Sequence, residues 1–571
     1  MNKNWVIKSS GNEEAITSLT KDLGIERSLA QLLVQRNITT YKEAKDFFRP
    51  DLSNLHDPFL MKNMDVAIQR ILGAIQAGEK VLIYGDYDVD GTTAVALVYS
   101  YFKDHFKGSD YYIPDRYDEG YGISLKGIDY AVEHGFTLII ALDCGIKAVD
   151  KVDYANEKGV EFIICDHHNP GEKIPNAVAV LDPKQEGCPY PYKELSGCGV
   201  GLKLVQAYGI KTGLDPNKIY DYLDLVVVSI ASDIVPITGE NRVMAHFGLK
   251  KLNNNPSIGM KAIKEVAGIE KKSLDIEDII YKIGPRINAA GRMESGKKSV
   301  DLLVCEKVEN AKAISQTINN FNLDRRNIDT EITRQAIEMI QGDVSLKEKN
   351  STVLYNPEWH KGVIGIVASR LLDHFYRPTV VLTRSNGMVT GSARSVNGFD
   401  LYKAIESCSD LLVNFGGHKY AAGLTMKVKN LQCFRERFEQ VVTDNIDPDQ
   451  LIPVVEIDTE LQLTEITHKF FRILKQFQPF GPENTSPVFL SENVVDNGYG
   501  RTVGANGEHL KLTLIQEENP FKVFPAIGFH RGSDFAKVNK GVPFDICYQL
   551  MENDFRGRVD LQIHLLDMKF D

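Results

Sequence analysis

Carboxylates and imidazoles stand at the ends of apolar runs in this sequence. KVLIYG (80–85) leads into Asp86, Asp88 and Asp90, TLIIAL (137–142) into Asp143, EFIIC (161–165) into Asp166, His167 and His168, and LVVVSIAS (225–232) into Asp233. Three carboxylates at alternate positions repel one another and are costly to bury, so they call for a cation. DYDVDG has the spacing of a calcium loop, but its twelfth position is Leu97 instead of glutamate and the run before it is strand-like, which sets that reading aside. Asp143 or Asp233 alone reads as a cap or turn former. The joint reading differs, because strands of an open α/β sheet deliver the residues after them to one crevice at their carboxyl ends.

Carboxylate oxygens with one imidazole make a hard, mixed ligand set that suits Mn²⁺ or Mg²⁺. Five or more ligands exceed what one ion takes. Two cations about 3.5–4 Å apart would polarise a phosphoryl oxygen and activate water for in-line attack, so the chemistry indicated is phosphoester hydrolysis. His168 either orients the site or donates to the substrate phosphate.

The elements that must position these groups are legible in outline. A chain of 571 residues, 43% hydrophobic and 25% charged, predicts several folded domains. From 80 to about 240, short apolar runs alternate with helical stretches, which predicts βαβ units and a parallel sheet, with a helix starting at Thr92. Residues 306–340 contain neither proline nor glycine and space their apolar groups as one amphipathic helix. A smaller α/β region comes next, and the last 120 residues alternate as a β-barrel would. The boundaries predicted are a helical segment 1–75 packing on the catalytic core, a phosphoesterase domain 76–305, a connecting helix 306–345, an associated α/β domain 346–447 and a barrel 448–571. The net charge of −11 excludes binding of nucleic acid by bulk charge. The eight cysteines form no CxxC pair, MNKNWVIKSS has no apolar leader, and no run is long enough for a membrane span; a reducing cytoplasmic setting is the expectation.

DYDVDG, ALDCG, CDHH and SIASDIVP together resemble the motifs of the DHH phosphoesterase superfamily. GPRINAAGRM (284–293) and FGGHKYAAGLTM (415–426), the latter similar to the glycine-rich motif of the DHH-associated domain, narrow the resemblance to the RecJ family of single-strand-specific 5′ to 3′ DNA exonucleases. The resemblance implies an OB-fold for the barrel and two cations, Mn²⁺ or Mg²⁺, on Asp88, Asp90, Asp143, His167 and Asp233, with Asp143 bridging; Asp86 and His168 match motif positions of less settled role. It also implies single-stranded DNA as substrate, a role in recombination and repair, a helicase and a single-strand-binding protein as partners, and a monomer.

A phosphodiesterase needs cationic groups for its substrate, and the arginine fork suits phosphate. Candidates are Arg116 after YYIPD, Arg286 and Arg292 around INAAG, Arg370 in the WHKGVIGIVASR stretch, Ser392 with Arg394 in GSARS, and His418 in GGHKYAAG. By the resemblance, Arg116, Arg292, Ser392 and Arg394 match the pocket for a terminal 5′ phosphate. The barrel holds 12 lysines and arginines against 17 acids over 452–571, so no gross basic patch supports strand binding there; Phe477, Phe480, Phe489, Phe521, Phe524 and Phe529 could supply stacking, most of them reading as core, and binding by the barrel rests mainly on the resemblance.

Overall fold

The computed structural model describes residues 3–106, 108–269, 273–516, 519–555 and 558–570. They form two compact units, one of Leu55–Val235 with Gly239–Pro453, the other of Met1–Asn54 with Pro236–Thr238 and Val454–Asp571.

In the larger unit the apolar runs become the parallel strands Lys80–Gly85, Gly108–Tyr112, Leu138–Leu142, Glu161–Cys165 and Ala179–Leu181. Spatially, Gly108–Tyr112 lies on one side of Lys80–Gly85 and the other three lie in sequence on the opposite side. Every residue of Leu138–Leu142 is buried, as a strand covered by helices on both faces must be. The order reverses at Lys80–Gly85, which makes the crevice beside it the natural ligand position of such a sheet. Asp86–Asp90 and Asp143 come directly after the two strands that flank this switch point.

Helix Val89–Phe102 begins three residues before the predicted Thr92, because the Asp88 side chain caps it by accepting the Gly91 amide at 3.0 Å. The ambiguous apolar segment before Asp233 is helix Leu223–Ser232. The connecting helix, Val308–Gly342, runs 35 residues, about 50 Å at 1.5 Å per residue. Its buried stripe includes Ser315, Asn322 and Asp329 among Ala311, Ile318, Ile332, Ala336 and Ile340. Beyond it, strands Thr352–Tyr355, Thr379–Ser385, Met388–Arg394, Ala421–Met426 and Leu412–His418 make a mixed sheet, in that spatial order. Helix Ile364–Phe375 packs on both this sheet and the connecting helix.

The smaller unit holds a barrel. Strands Phe489–Asp496, Phe544–Phe555, Arg558–Lys569, Asn519–Gly528 and His509–Gln516 are paired in that order, and Val494–Asp496 pairs back with Leu514–Gln516 to close the ring. Met64–Ala77 belongs to the larger unit, where it packs on Gly197–Thr212 and Ala179–Leu181, and Met1–Asn54 belongs to the smaller one. Leu29, Leu32 and Leu33 share the barrel unit's core with Phe470 and Phe477, and Asn4–Ile7 pairs in parallel with Val454–Ile457. Of the candidate stacking aromatics, Phe477, Phe489 and Phe524 are core residues and Phe480 packs on that core. The Phe521 side chain lies outside the described residues. Phe529 is exposed and lies edge-on to His509 and His564.

A buried ion pair fixes the helix that faces the crevice. Lys203 on Gly197–Thr212 reaches Glu240 at 2.6 Å, and Glu240 also accepts Tyr190 Oη at 2.6 Å and the His56 amide at 2.8 Å. Removing one partner strands the other charge in the core. Glu240→Ala is therefore expected to cost about 3–5 kcal/mol in urea denaturation; a loss below about 1 kcal/mol would show that the pair does not hold this helix.

Candidate metal and phosphate site

The carboxyl ends of the strands and the end of helix Leu223–Ser232 bring four of the predicted ligands to one point. His167 Nε2 lies 3.2 Å from Asp143 Oδ1, 3.5 Å from Asp233 Oδ2 and 3.6 Å from Asp90 Oδ2. Two triads share this imidazole, Asp143–His167–His168 and Asp90–His167–Asp233, each offering one ligand atom per residue within 4.8 Å of the others.

Local structure explains why these side chains face inward. Asp90 accepts the amides of Gly197 and Cys198 and the Ser229 hydroxyl, each at 2.7 Å, so a helix N-terminus orients its carboxylate. Gly197 is required there: a Cβ would lie 2.6 Å from the Asp143 Cβ. Asp143 holds the left-handed φ of 59°, rare for a residue with a side chain, while its amide continues the sheet to the Cys165 carbonyl at 2.9 Å.

Both carboxylate oxygens of Asp143 and both ring nitrogens of His167 are buried and make no hydrogen bond among the described residues. Buried polar atoms of this kind are normally satisfied, so a set of them facing one another fits cations. Burial, and then the charges of Asp90, Asp88 and Asp233, push the Asp143 carboxyl well up. Asp86 and Asp88 are raised the same way, Asp233 is pushed up to about 8, and burial lowers His167. Asp88 stands beside the triads as the helix cap. Asp86 spends Oδ1 on the Gly122 amide at 3.0 Å, and its Oδ2 has no hydrogen bond among the described residues.

Asp166 differs from its neighbours. It accepts the amides of Ile146, His167 and His168, and its Oδ1 lies 2.7 Å from His168 Nδ1. Burial opposes its charge, but these bonds outweigh it and hold the carboxyl at about 2. Asp166 therefore orients His168. Burial lowers His168, and the Asp166 bond and charge outweigh it, bringing the imidazole up to about 9.

A second cluster is cationic. Arg394 Nη1 donates to Ser392 Oγ at 3.0 Å, Arg292 Nη1 to the Gly362 carbonyl at 2.9 Å, and the Arg116 guanidinium lies 5.0 Å over the Tyr87 ring. Burial and then the charges of Arg116, Arg325 and Arg394 lower Arg292 to about 10, so these three cations act on Arg292. Arg325, on the connecting helix, is not legible in the sequence, where DRRN on a helical stretch reads as a solvated face. It lines a cavity of about 200 Å³ with Ser232, Asn288 and Arg292.

Two further predicted contacts have partners within the protein. Arg286 donates to Asn319 Oδ1 at 3.0 Å and to the Lys282 carbonyl at 2.6 Å, tying its helix to the connecting helix. Arg370 pairs with buried Asp329 at 2.6 Å. His418 is exposed and lines, with Gly417, Asp88, Tyr121 and His168, a cavity of about 550 Å³.

Residues 80–230 match the DHH family, N-terminal domain, 348–444 the DHHA1 domain and 457–567 the RecJ OB domain. The single-stranded-DNA-specific exonuclease RecJ of Bacillus subtilis is 35% identical over 565 residues, covering 99% of this chain and 70% of that one. This chain belongs to the RecJ family. The RecJ of Haemophilus influenzae is 31% identical over 90% of this chain and 91% of its own. The crystal structure of RecJ in complex with Mn²⁺ from Thermus thermophilus superposes with a TM-score of 0.84 at 25% identity, covering all of this chain and 80% of that one. The RecJ fold thus extends through both units.

Carboxyl groups raised in the folded state bind protons that the unfolded chain, with its ordinary value of 3.8, releases. Their contribution is fully present below about pH 4 and is lost as pH rises toward 8, and raised His168 acts in the same direction above its ordinary 6.5. In EDTA, stability by urea denaturation should fall between about pH 5 and 8.5, and MnCl₂ should reverse the trend because cations replace the protons. An EDTA profile that is flat or rising contradicts this arrangement.

Proposed function

We propose that this chain is a metal-dependent exonuclease that degrades single-stranded DNA from its 5′ end. The observation that carries the reading is the pair of triads sharing His167, with the Asp143 carboxylate and the His167 ring buried at their centre and without hydrogen bonds among the described residues. The names of the relatives supply the substrate class, and the Mn²⁺ and Mg²⁺ complexes of the Thermus thermophilus RecJ support divalent cations.

Asp88, Asp90, Asp143, His167 and Asp233 would hold two such ions, Mn²⁺ or Mg²⁺, with Asp86 beside them. Cations bound there polarise the phosphoryl oxygens and lower the pKa of a water nucleophile. The protein contributes position. The helix N-terminus holds Asp90, Asp166 holds His168, and the arginine cluster with Ser392 takes the terminal 5′ phosphate, leaving the next phosphodiester at the acids. Polarity comes from that anchoring. His418, Arg286 and Arg370 stand at the edges of the same unit, His418 as a donor to the strand and the two arginines as braces of the connecting helix.

Segment 76–305 is the phosphoesterase domain, 306–345 the connecting helix, 346–447 the associated domain and 448–571 a strand-binding OB barrel, with Met1–Asn54 joined to the barrel's unit. Among the described residues no helix is long and apolar enough to cross a membrane. A cytoplasmic monomer acting in recombination and repair, supplied by a helicase and a single-strand-binding protein, fits this reading.

With end-labelled, 5′-phosphorylated single-stranded DNA and Mn²⁺, label at the 5′ terminus should be released first, and Asp143→Ala should abolish cleavage without changing the circular dichroism spectrum. Loss from the 3′ end, or activity confined to dinucleotides, contradicts the proposal. Arg394→Ala removes a charge-assisted bond worth about 1.5–3 kcal/mol. It should raise KM for the 5′-phosphorylated strand by about 10- to 100-fold and barely change KM for a 5′-hydroxyl strand.

A further inference from the structure

His168 is held at both ring nitrogens. Asp166 takes Nδ1, and the Tyr121 hydroxyl lies 3.2 Å from Nε2 and donates to the Asp143 main-chain oxygen at 3.4 Å. Tyr121 thereby touches one triad member by its side chain and another by its backbone. Its ring is edge-on to His168, at 6.1 Å and 81°, and to Tyr87, at 6.1 Å and 86°. Tyr87 in turn carries Arg116 over its face. One aromatic series therefore runs from the arginine cluster to the metal triads, and Tyr121 is its last member.

The loop that delivers Tyr121 is built for the purpose. Gly120 and Gly122 hold φ of 85° and 77°, so the tyrosine is presented between two left-handed residues that a side chain would strain. Gly122 donates to Asp86 Oδ1, Glu119 accepts the Asp115 amide and the hydroxyls of Tyr112 and Ser124, and Lys151 Nζ donates to the Ile123 carbonyl. Tyr117 Oη donates to the Arg292 carbonyl. Bonds on both sides of Tyr121 thus hold the loop in place, although the tyrosine itself is half-exposed at the edge of the 550 Å³ cavity. An exposed aromatic ring on an ordered loop, hydrogen-bonded to the site, is placed there for positioning and not for core packing.

We propose that Tyr121 is a positioning residue for phosphodiester hydrolysis, holding the His168 ring against Asp166 so that it faces the reacting phosphate. The inference rests on the exonuclease reading. Partners that orient such groups change rates by about 10- to 100-fold when removed.

The test is a double-substitution cycle in single-turnover cleavage of 5′-phosphorylated single-stranded DNA with Mn²⁺. Tyr121→Phe should lower kcat by about 10- to 100-fold with KM within about twofold and the melting temperature unchanged. In a His168→Ala background the same substitution should cost less than about twofold, because nothing is left to position. Independent, multiplicative losses overturn the proposal, as does a loss confined to KM or a Tyr121→Phe enzyme as fast as wild type. If Tyr121→Phe lowers the melting temperature, Tyr121→His, which restores a hydrogen-bonding ring, should recover part of kcat; no recovery also overturns it. Absence of cleavage by wild type overturns the exonuclease reading itself and this inference with it.

Discussion

Like charges buried together are the constraint on which this structure turns. Asp90, Asp143 and Asp233 surround His167 within 3.6 Å, where water is largely excluded and each ionised carboxylate raises the energy of the others. The surrounding elements offset part of that energy, with amide donors and with the charge of His168. A helix N-terminus meets Asp90, another helix is capped by Asp88, and the left-handed turn at Asp143 aims its carboxylate inward. What remains unbalanced is the Asp143 carboxylate itself, and that deficit is the binding energy offered to a cation.

The arginine cluster is the same device with opposite sign. Arg116, Arg292, Arg325 and Arg394 come from a loop, a short helix, the connecting helix and the associated sheet, and none of these segments alone would gather such charge. An anion bound among them would relieve their mutual repulsion. Acids on one side and arginines on the other suit a ligand with two phosphates, one anchored and one cut. The polar stripe of the connecting helix, Ser315, Asn322 and Asp329, belongs to this arrangement, because the helix must bury a face next to charged partners such as Arg370.

The legible features of the chain are those set by local periodicity. Strands ending at Asp86, Asp143 and Asp166, the 35-residue helix and the alternating barrel all come from apolar spacing, which acts over a few residues. The displacement of the helix start from Thr92 to Val89 arises from capping, since an aspartate in a DxDxDG run reads as a ligand before it reads as a cap. Arg286 and Arg370 carry the right chemistry, but their partners Asn319 and Asp329 sit far along the connecting helix, where spacing cannot reveal them.

The sequence by itself determined which chemistry was present: carboxylates and imidazoles after apolar runs, arginines beside small residues, and a motif set that marks a family. Tertiary structure alone decided how those groups divide their work. Asp166 and His167 are adjacent in the chain just past strand Glu161–Cys165, yet the Asp166 carboxylate is saturated by amides while the His167 ring makes no hydrogen bond among the described residues. Tyr121 gave no chemical signal in the sequence, and only the fold brings its hydroxyl to His168, 47 positions away. Residue type is a local property, while burial and partnership depend on what the rest of the chain packs around it.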